Sequence, residues 1–173
     1  MNKPRFVSQI GKVNENTGCG VASTMMILRN VCESKNLPTY KELAECLWVN
    51  VNPEIKGFNK GYGKGVDFDD VVMFLKRVSS VYDFHYHKLE KSNYINKLKN
   101  VLHNYPVMAA MENDVNGRWS GGHWIVLYGY GKSVIQYLDP QYKSSNRLHD
   151  ETMSIEEFSK LWSGYAVWVN SNN

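Results

Sequence analysis

Cysteine is scarce in this chain: Cys19, Cys32 and Cys46 are the only three among 173 residues. A set so small and odd excludes a disulfide-dense scaffold and favours a reducing compartment, with a single Cys32–Cys46 bridge left open. Long apolar runs are lacking too. No stretch approaches the roughly 20 residues that cross a bilayer, and Met1-Asn2-Lys3-Pro4-Arg5-Phe6 is not followed by the apolar core of a secretory signal. The expectation is a soluble protein with no membrane insertion, cytoplasmic or delivered without a classical signal peptide. Charge of one sign is also missing: 20 Lys and Arg stand against 17 Asp and Glu, a formal net charge of +3, and the basic residues form no stripe. With no zinc-finger or RNA-binding signature either, nucleic acid is excluded as a partner.

What is present suits one well-buried core. The chain is 43% hydrophobic and 21% charged, and it carries no repeat, linker or low-complexity tract, so residues 1–173 read as a single domain. Helical periodicity opens at Cys19 and places Val21, Met25, Leu28 and Cys32 on one stripe, with Ser23 and Asn30 off it and an end near Leu37-Pro38. Thr39 and Glu42 form a capping box for a second helix with Leu43 and Leu47, and Asp67 caps a third with Val71, Val72, Phe74 and Leu75. Tyr82–Lys88 alternates as a strand, and Tyr94–Leu102 reads as a helix. Strand-like runs follow at Pro106–Met111, His123–Tyr130 and Val134–Leu138. Ser154 and Glu157 cap a helix with Ile155, Phe158, Leu161 and Trp162, before a last strand at Tyr165–Val169. Helices first and consecutive strands later argue for an α+β fold with a largely antiparallel sheet.

Three residues draw attention for their chemistry. Cys19 follows the loop-like Asn14-Glu15-Asn16-Thr17-Gly18 and starts a helix, where the macrodipole favours a thiolate and where Gly18 and Gly20 allow close approach of a substrate backbone. A small buried hydrophobe at a helix start is the competing reading. His123 follows Trp119-Ser120-Gly121-Gly122 at the mouth of an apolar strand, well placed for a cleft, although a satisfied surface histidine would look the same. Asp139 ends the next strand and precedes Pro140. Sixteen residues separate it from His123, so a hairpin over Gly129–Ser133 brings both to one end of the sheet. There an acid can orient an imidazole, while an Asp-Pro turn initiator is the alternative.

These blocks carry a resemblance. Thr17-Gly18-Cys19-Gly20-Val21-Ala22, Gly122-His123-Trp124-Ile125-Val126-Leu127-Tyr128-Gly129-Tyr130 and Tyr137-Leu138-Asp139-Pro140 occur in the order of the papain-clan, bacteriocin-processing double-glycine leader peptidases. Pro106-Val107-Met108-Ala109-Ala110 and Ser154…Trp162 also resemble segments of that family, and the soluble stand-alone relatives are the most similar. The resemblance implies a papain-like fold with Cys19 as nucleophile, His123 as base and Asp139 as its orienting acid, and no metal or organic cofactor. It also implies a glutamine upstream of the cysteine as an oxyanion donor, a part carried over to Gln9, with Asn14 or Asn16 as substitutes.

The function implied is hydrolysis of a peptide bond in a peptide or protein substrate through a thioester. Such peptidases head ATP-driven transporters, whereas this chain carries no membrane span, and the same trio would serve a bacterial toxin or effector. A deamidase or acyltransferase of that kind would bring an inhibitor or immunity partner. A peptide-binding module without turnover is the third reading. Other signals are weaker. Gly57–Gly65 fails the phosphate-loop pattern and reads as a surface loop. His85 and His87 share a strand face without further ligands at zinc spacing and read as exposed. His103 and His149 read as surface residues, and Cys32, Cys46, Met25 and Met26 as core. Trp119 and Trp124 either wall a groove or are simply buried.

Overall fold

The runs Val107-Met108-Ala109-Ala110-Met111 and Trp124-Ile125-Val126-Leu127 are apolar at successive positions, which a strand needs only when both of its faces are covered. That is how they are used in the computed structural model, which describes residues 3–12, 18–32, 37–47, 68–78, 82–89, 93–112, 119, 122–142 and 150–170. Strands β1 (Asp83–Lys88), β2 (Val107–Met111), β3 (His123–Tyr130), β4 (Val134–Leu138), β5 (Asp150–Ser154) and β6 (Trp162–Asn170) form one six-stranded sheet in the order β1-β6-β2-β3-β4-β5. Every neighbouring pair is antiparallel. The helices are α1 (Cys19–Val31), α2 (Tyr40–Glu45), α3 (Phe68–Val78), α4 (Tyr94–Leu102) and α5 (Ile155–Leu161).

Side-chain alternation divides the interior in two. On one face Met108, Ala110, Trp124, Val126, Leu138 and Val167 pack with α1, α2 and α3. On the other Val107, Ala109, Ile125, Leu127, Tyr137 and Trp168 pack with α4 and α5. The α+β expectation thus holds in a three-layer form, with helices on both sides of an antiparallel sheet.

Local signals account for most of the elements. Thr39 and Glu42 make the expected reciprocal cap: the Glu42 amide donates to Thr39 Oγ1 at 3.3 Å, and the Thr39 amide donates to Glu42 Oε2 at 2.7 Å. Tyr94, Leu98 and Leu102, four residues apart, are the buried stripe of α4. Ser154 Oγ accepts the Glu157 amide at 3.0 Å to start α5.

Four details differ from the sequence reading. Helix α1 stops at Val31, where the extended Cys32 closes the last turn on the Leu28 carbonyl at 2.8 Å. Asn30 and Val31 are weak helix formers, which fits an early end. The same helix is buried all round and not along one stripe: Ser23 and Thr24 are fully covered, satisfied by the Trp124 and Gly20 carbonyls at 3.4 and 2.7 Å. Trp162 is the C-cap of α5, its amide closing the last turn on the Phe158 carbonyl, and at the same time opens β6; β5 is an additional edge strand. Finally, His85 and His87 are half-buried and not exposed, with His87 stacked on Trp168 at 3.8 Å. The Asp67 cap, the Gly57–Gly65 loop and His149 lie outside the described residues.

Candidate active site

Helix α1 begins at Cys19, with Gly18 as its N-cap. The Gly18 carbonyl accepts the Ala22 amide at 2.9 Å and the Tyr40 hydroxyl at 3.2 Å, so the first turn is held from inside the helix and from α2. No acidic side chain occupies that turn, which leaves the positive end of the helix facing the sulfur. Tyr40 stands close enough to feel the cysteine: burial first and the Cys19 charge second hold its phenol above the ordinary value, so it is a neutral donor. Cys19 is 7% exposed.

His123 enters from the sheet as the first residue of β3, opposite Met111 of β2. By alternation it shares a face with Ile125 and Leu127, the face turned toward α4 and α5. The β3–β4 ladder starts from Tyr130↔Ile135 and Gly129↔Gln136, then slips by one residue to Leu127↔Tyr137 and Val126↔Leu138. The slip adds one residue on β3, while β4 keeps its alternation, with Ile135 and Tyr137 on the α4–α5 face and Asp139 next in that series. Continued without that bulge, β3 would turn His123 to the α1 face; with it, His123 shares the face of Asp139. There His123 Nε2 donates to Asp139 Oδ1 at 2.8 Å.

Asp139 has two further donors, the Gln141 amide on Oδ1 at 2.8 Å and the Trp119 indole N–H on Oδ2 at 2.9 Å. It therefore starts an Asp-Pro turn and faces the imidazole at once; the two readings of this residue are compatible. Asp139 is 2% exposed. Burial alone would raise its pKa, but the hydrogen bond and charge of His123 and the two N–H donors outweigh it and hold the carboxyl below its usual range. For His123 burial acts downward, and the hydrogen bonds with Asp139 and Cys19 and their charges prevail, lifting it to about 9. The imidazole thus bridges two partners. With Nε2 committed to Asp139, Nδ1 is the nitrogen left for sulfur, and a proton can pass from thiol to ring along this line.

Gln9 is carried by an N-terminal segment fastened to the turn after Asp139. Its amide donates to the Pro140 carbonyl at 2.8 Å, and its carbonyl accepts the Lys12 amide at 3.1 Å. Ser8 Oγ donates to the Tyr142 carbonyl, and Gln9 itself is 4% exposed. The substitutes Asn14 and Asn16 lie outside the described residues. Trp119 stacks on His123, with ring centroids 5.1 Å apart and planes at 24°. From sequence the role of Trp119 is open and its bond to Asp139 is not visible, because a tryptophan four residues before a histidine has no geometry set by that spacing. Nothing in the sequence marks Tyr40.

All three cysteines are thiols, and Cys32 and Cys46 are half-buried against the α1–α3 core. Among the described residues no group of three or more His, Cys, Asp or Glu side chains is gathered to hold a metal ion. Nor is any described helix long and apolar enough to cross a membrane.

Comparison with known proteins adds a family. The model of the Peptidase C39-like family matches residues 2–167. No curated protein matches the chain. Among solved structures, one described as a C39-like peptidase from Bacillus anthracis superposes with a TM-score of 0.71 at 20% identity, covering 98% of this chain and 95% of its own. The peptidase domain of Streptococcus ComA, a bi-functional ABC transporter involved in a quorum-sensing pathway, gives 0.65 at 19% identity over 97% of this chain and 98% of its own. A double-glycine-motif protease from an AMS/PCAT transporter, solved with its leader peptide, gives 0.60 at 16% identity over 96% and 91%. At these identities the structures speak for a shared papain-like fold.

Proposed function

The chain belongs to the Peptidase C39-like family, whose activity is that of a peptidase, and on that premise we propose that it hydrolyses a peptide bond with Cys19 as nucleophile. His123 Nδ1 takes the thiol proton, and the thiolate attacks the substrate carbonyl carbon. Asp139 keeps the ring in the tautomer that presents Nδ1 to sulfur and stabilises the imidazolium. The oxyanion that forms is held by the Cys19 amide, one of the unpaired N–H groups of a helix start, and by the side-chain amide of Gln9. Each such donor lowers the barrier by roughly 3 kcal/mol. The imidazolium then gives its proton to the leaving amine as the C–N bond breaks, leaving a thioester. Water, deprotonated by His123, attacks the thioester and restores the thiol with release of the carboxylic acid.

The observation that carries this reading is the series formed by Cys19 at a helix start, His123 engaged by both sulfur and carboxylate, and Asp139 held by three donors. The substrate we infer is a peptide or a protein segment, in keeping with the leader peptide bound by the double-glycine protease of the same fold. Residues 1–173 act as one catalytic unit.

Two measurements test the proposal. Iodoacetamide should alkylate Cys19 far faster than Cys32 or Cys46 at neutral pH; equal rates for the three thiols would sink the nucleophile assignment. A Cys19→Ala variant used as a trap in lysate, with mass spectrometry of what it retains, should yield peptides that the intact enzyme cleaves. Ammonia release from an uncleaved target would overturn hydrolysis of the backbone.

A further inference from the structure

Both oxygens of the Asp139 carboxylate are constrained, not only the one that meets the histidine. Asp139 Oδ1 receives His123 Nε2 and the Gln141 amide, both at 2.8 Å, and Oδ2 receives Trp119 Nε1 at 2.9 Å. A carboxylate is a broad two-fold rotor about its last bond. Two donors on one oxygen leave it room to rock, while a third on the other oxygen defines its plane. Trp119 suits that task because the indole N–H is a donor only and does not titrate. Its ring stacks on His123, and Trp119, His123 and Asp139 are all buried, at 2%, 7% and 2% exposed. In a dry setting a charged hydrogen bond is stronger and an aromatic face favours a cationic partner. A groove wall would have to present its face to a ligand, and a residue this covered does not. Trp124, by contrast, lies on the opposite sheet face within the α1 core.

We infer that Trp119 is a positioning residue of the site, whose indole N–H fixes the plane of the Asp139 carboxylate while its ring shields the imidazolium. This rests on the peptidase reading above and adds to it a residue that touches neither sulfur nor substrate. The Trp119→Phe variant keeps the stack and removes the donor; Trp119→Leu removes both.

The test follows iodoacetamide alkylation of Cys19 against pH in the full chain, together with NMR of the His123 ring and of the Trp119 indole in 15N-tryptophan-labelled protein. With Trp119→Phe, alkylation at mildly acid pH should slow about tenfold, the loss expected for one hydrogen bond to a charged group, and the His123 titration midpoint should fall. Trp119→Leu should do more of both. In an Asp139→Asn background, Trp119→Phe should change the rate less than twofold, because its bond is already impaired. Rates and midpoints unchanged in Trp119→Phe, or full additivity with Asp139→Asn, overturn the inference. If the variants do not fold, the unmodified chain decides. A Trp119 indole proton protected from exchange, with a shift that follows the His123 titration, supports the role; rapid exchange and indifference to that titration overturn it. Failure of the parent reading looks different: in the unmodified chain Cys19 would alkylate no faster than Cys32, whatever the indole reports.

Discussion

One sheet carries two assemblies of the same residue types, at β3 and at the edge strand β1. At β3, His123 meets Asp139 at 2.8 Å, with 6% and 2% of their side chains exposed, and Trp119 stacks on the ring. At β1, His85 Nε2 stands 2.6 Å from Asp83 Oδ2, with 38% and 40% exposed, and without the alignment of a hydrogen bond. Its neighbour His87 stacks on Trp168 at 3.8 Å, and Lys97 covers the same indole at 5.7 Å. The two histidines that lie on tryptophan shift in opposite directions. His123 rises to about 9 because hydrogen bonds and charges of Asp139 and Cys19 overcome burial. His87 falls to about 4 because burial, then Lys97, then His85 all act against its charge. The stacked tryptophan is common to both, so the neighbours' charges and the hydrogen bonds set the sign. A histidine becomes useful to a thiol where an anion is delivered to it with aligned donors, not where an aromatic ring and a carboxylate merely stand nearby.

Removing each histidine in turn should separate the two assemblies most strongly. His123→Ala should lower turnover of a trapped peptide substrate by roughly a thousandfold or more, whereas His87→Ala should leave it within about twofold, the indifference expected of a residue outside the site. A large loss in His87→Ala would show that the β1 assembly takes part. Next comes the carboxylate. Asp139→Asn should cost on the order of a hundredfold or more in kcat with KM little changed, since it alters tautomer and imidazolium and not substrate contacts. Asp139→Ala, which strands a buried imidazolium, should also destabilise by ~3 kcal/mol in urea unfolding.

Smaller effects come from pH. Because the folded His123 value is raised, its contribution to stability is complete below the unfolded value of about 6.5 and is lost as pH rises through about 9. Activity should fall on the same limb as the imidazolium disappears. For His87 the folded value is lowered, so its contribution is present above the unfolded value and is lost as pH falls through about 4. Melting temperature against pH for the unmodified chain and for each single variant would separate the two slopes; the same slope at both would undo the contrast. The least effect is expected from Lys97→Ala, which should raise the His87 midpoint by a few tenths of a pH unit in an NMR titration and leave His123 where it is.

Much of this arrangement was legible in the residues themselves. Cys19 at a helix start, the apolar run after His123, the capping box at Thr39 and the stripe Tyr94–Leu98–Leu102 all rest on chemistry within a few residues, which periodicity and capping reveal directly. Elements whose character depends on their neighbours were harder to see. Strand β5 sends Met153 inward, among polar residues, and is recognisable as a strand by its ladder with β4. Trp162 satisfies both the helical and the extended pattern, and only its place opposite Met111 in the sheet decides between them.

Residue order alone marks three candidate groups: a thiol at a helix start, an imidazole at a strand mouth and an acid sixteen residues later. Whether the imidazole and the acid share a face was not written in that spacing. A one-residue slip on β3, between Leu127 and Gly129, turns His123 from the α1 side of the sheet to the side of Asp139, because consecutive residues of a strand point to opposite faces. Only the folded ladder contains that slip, and only the packed sheet end brings Trp119 onto the carboxylate and the ring together.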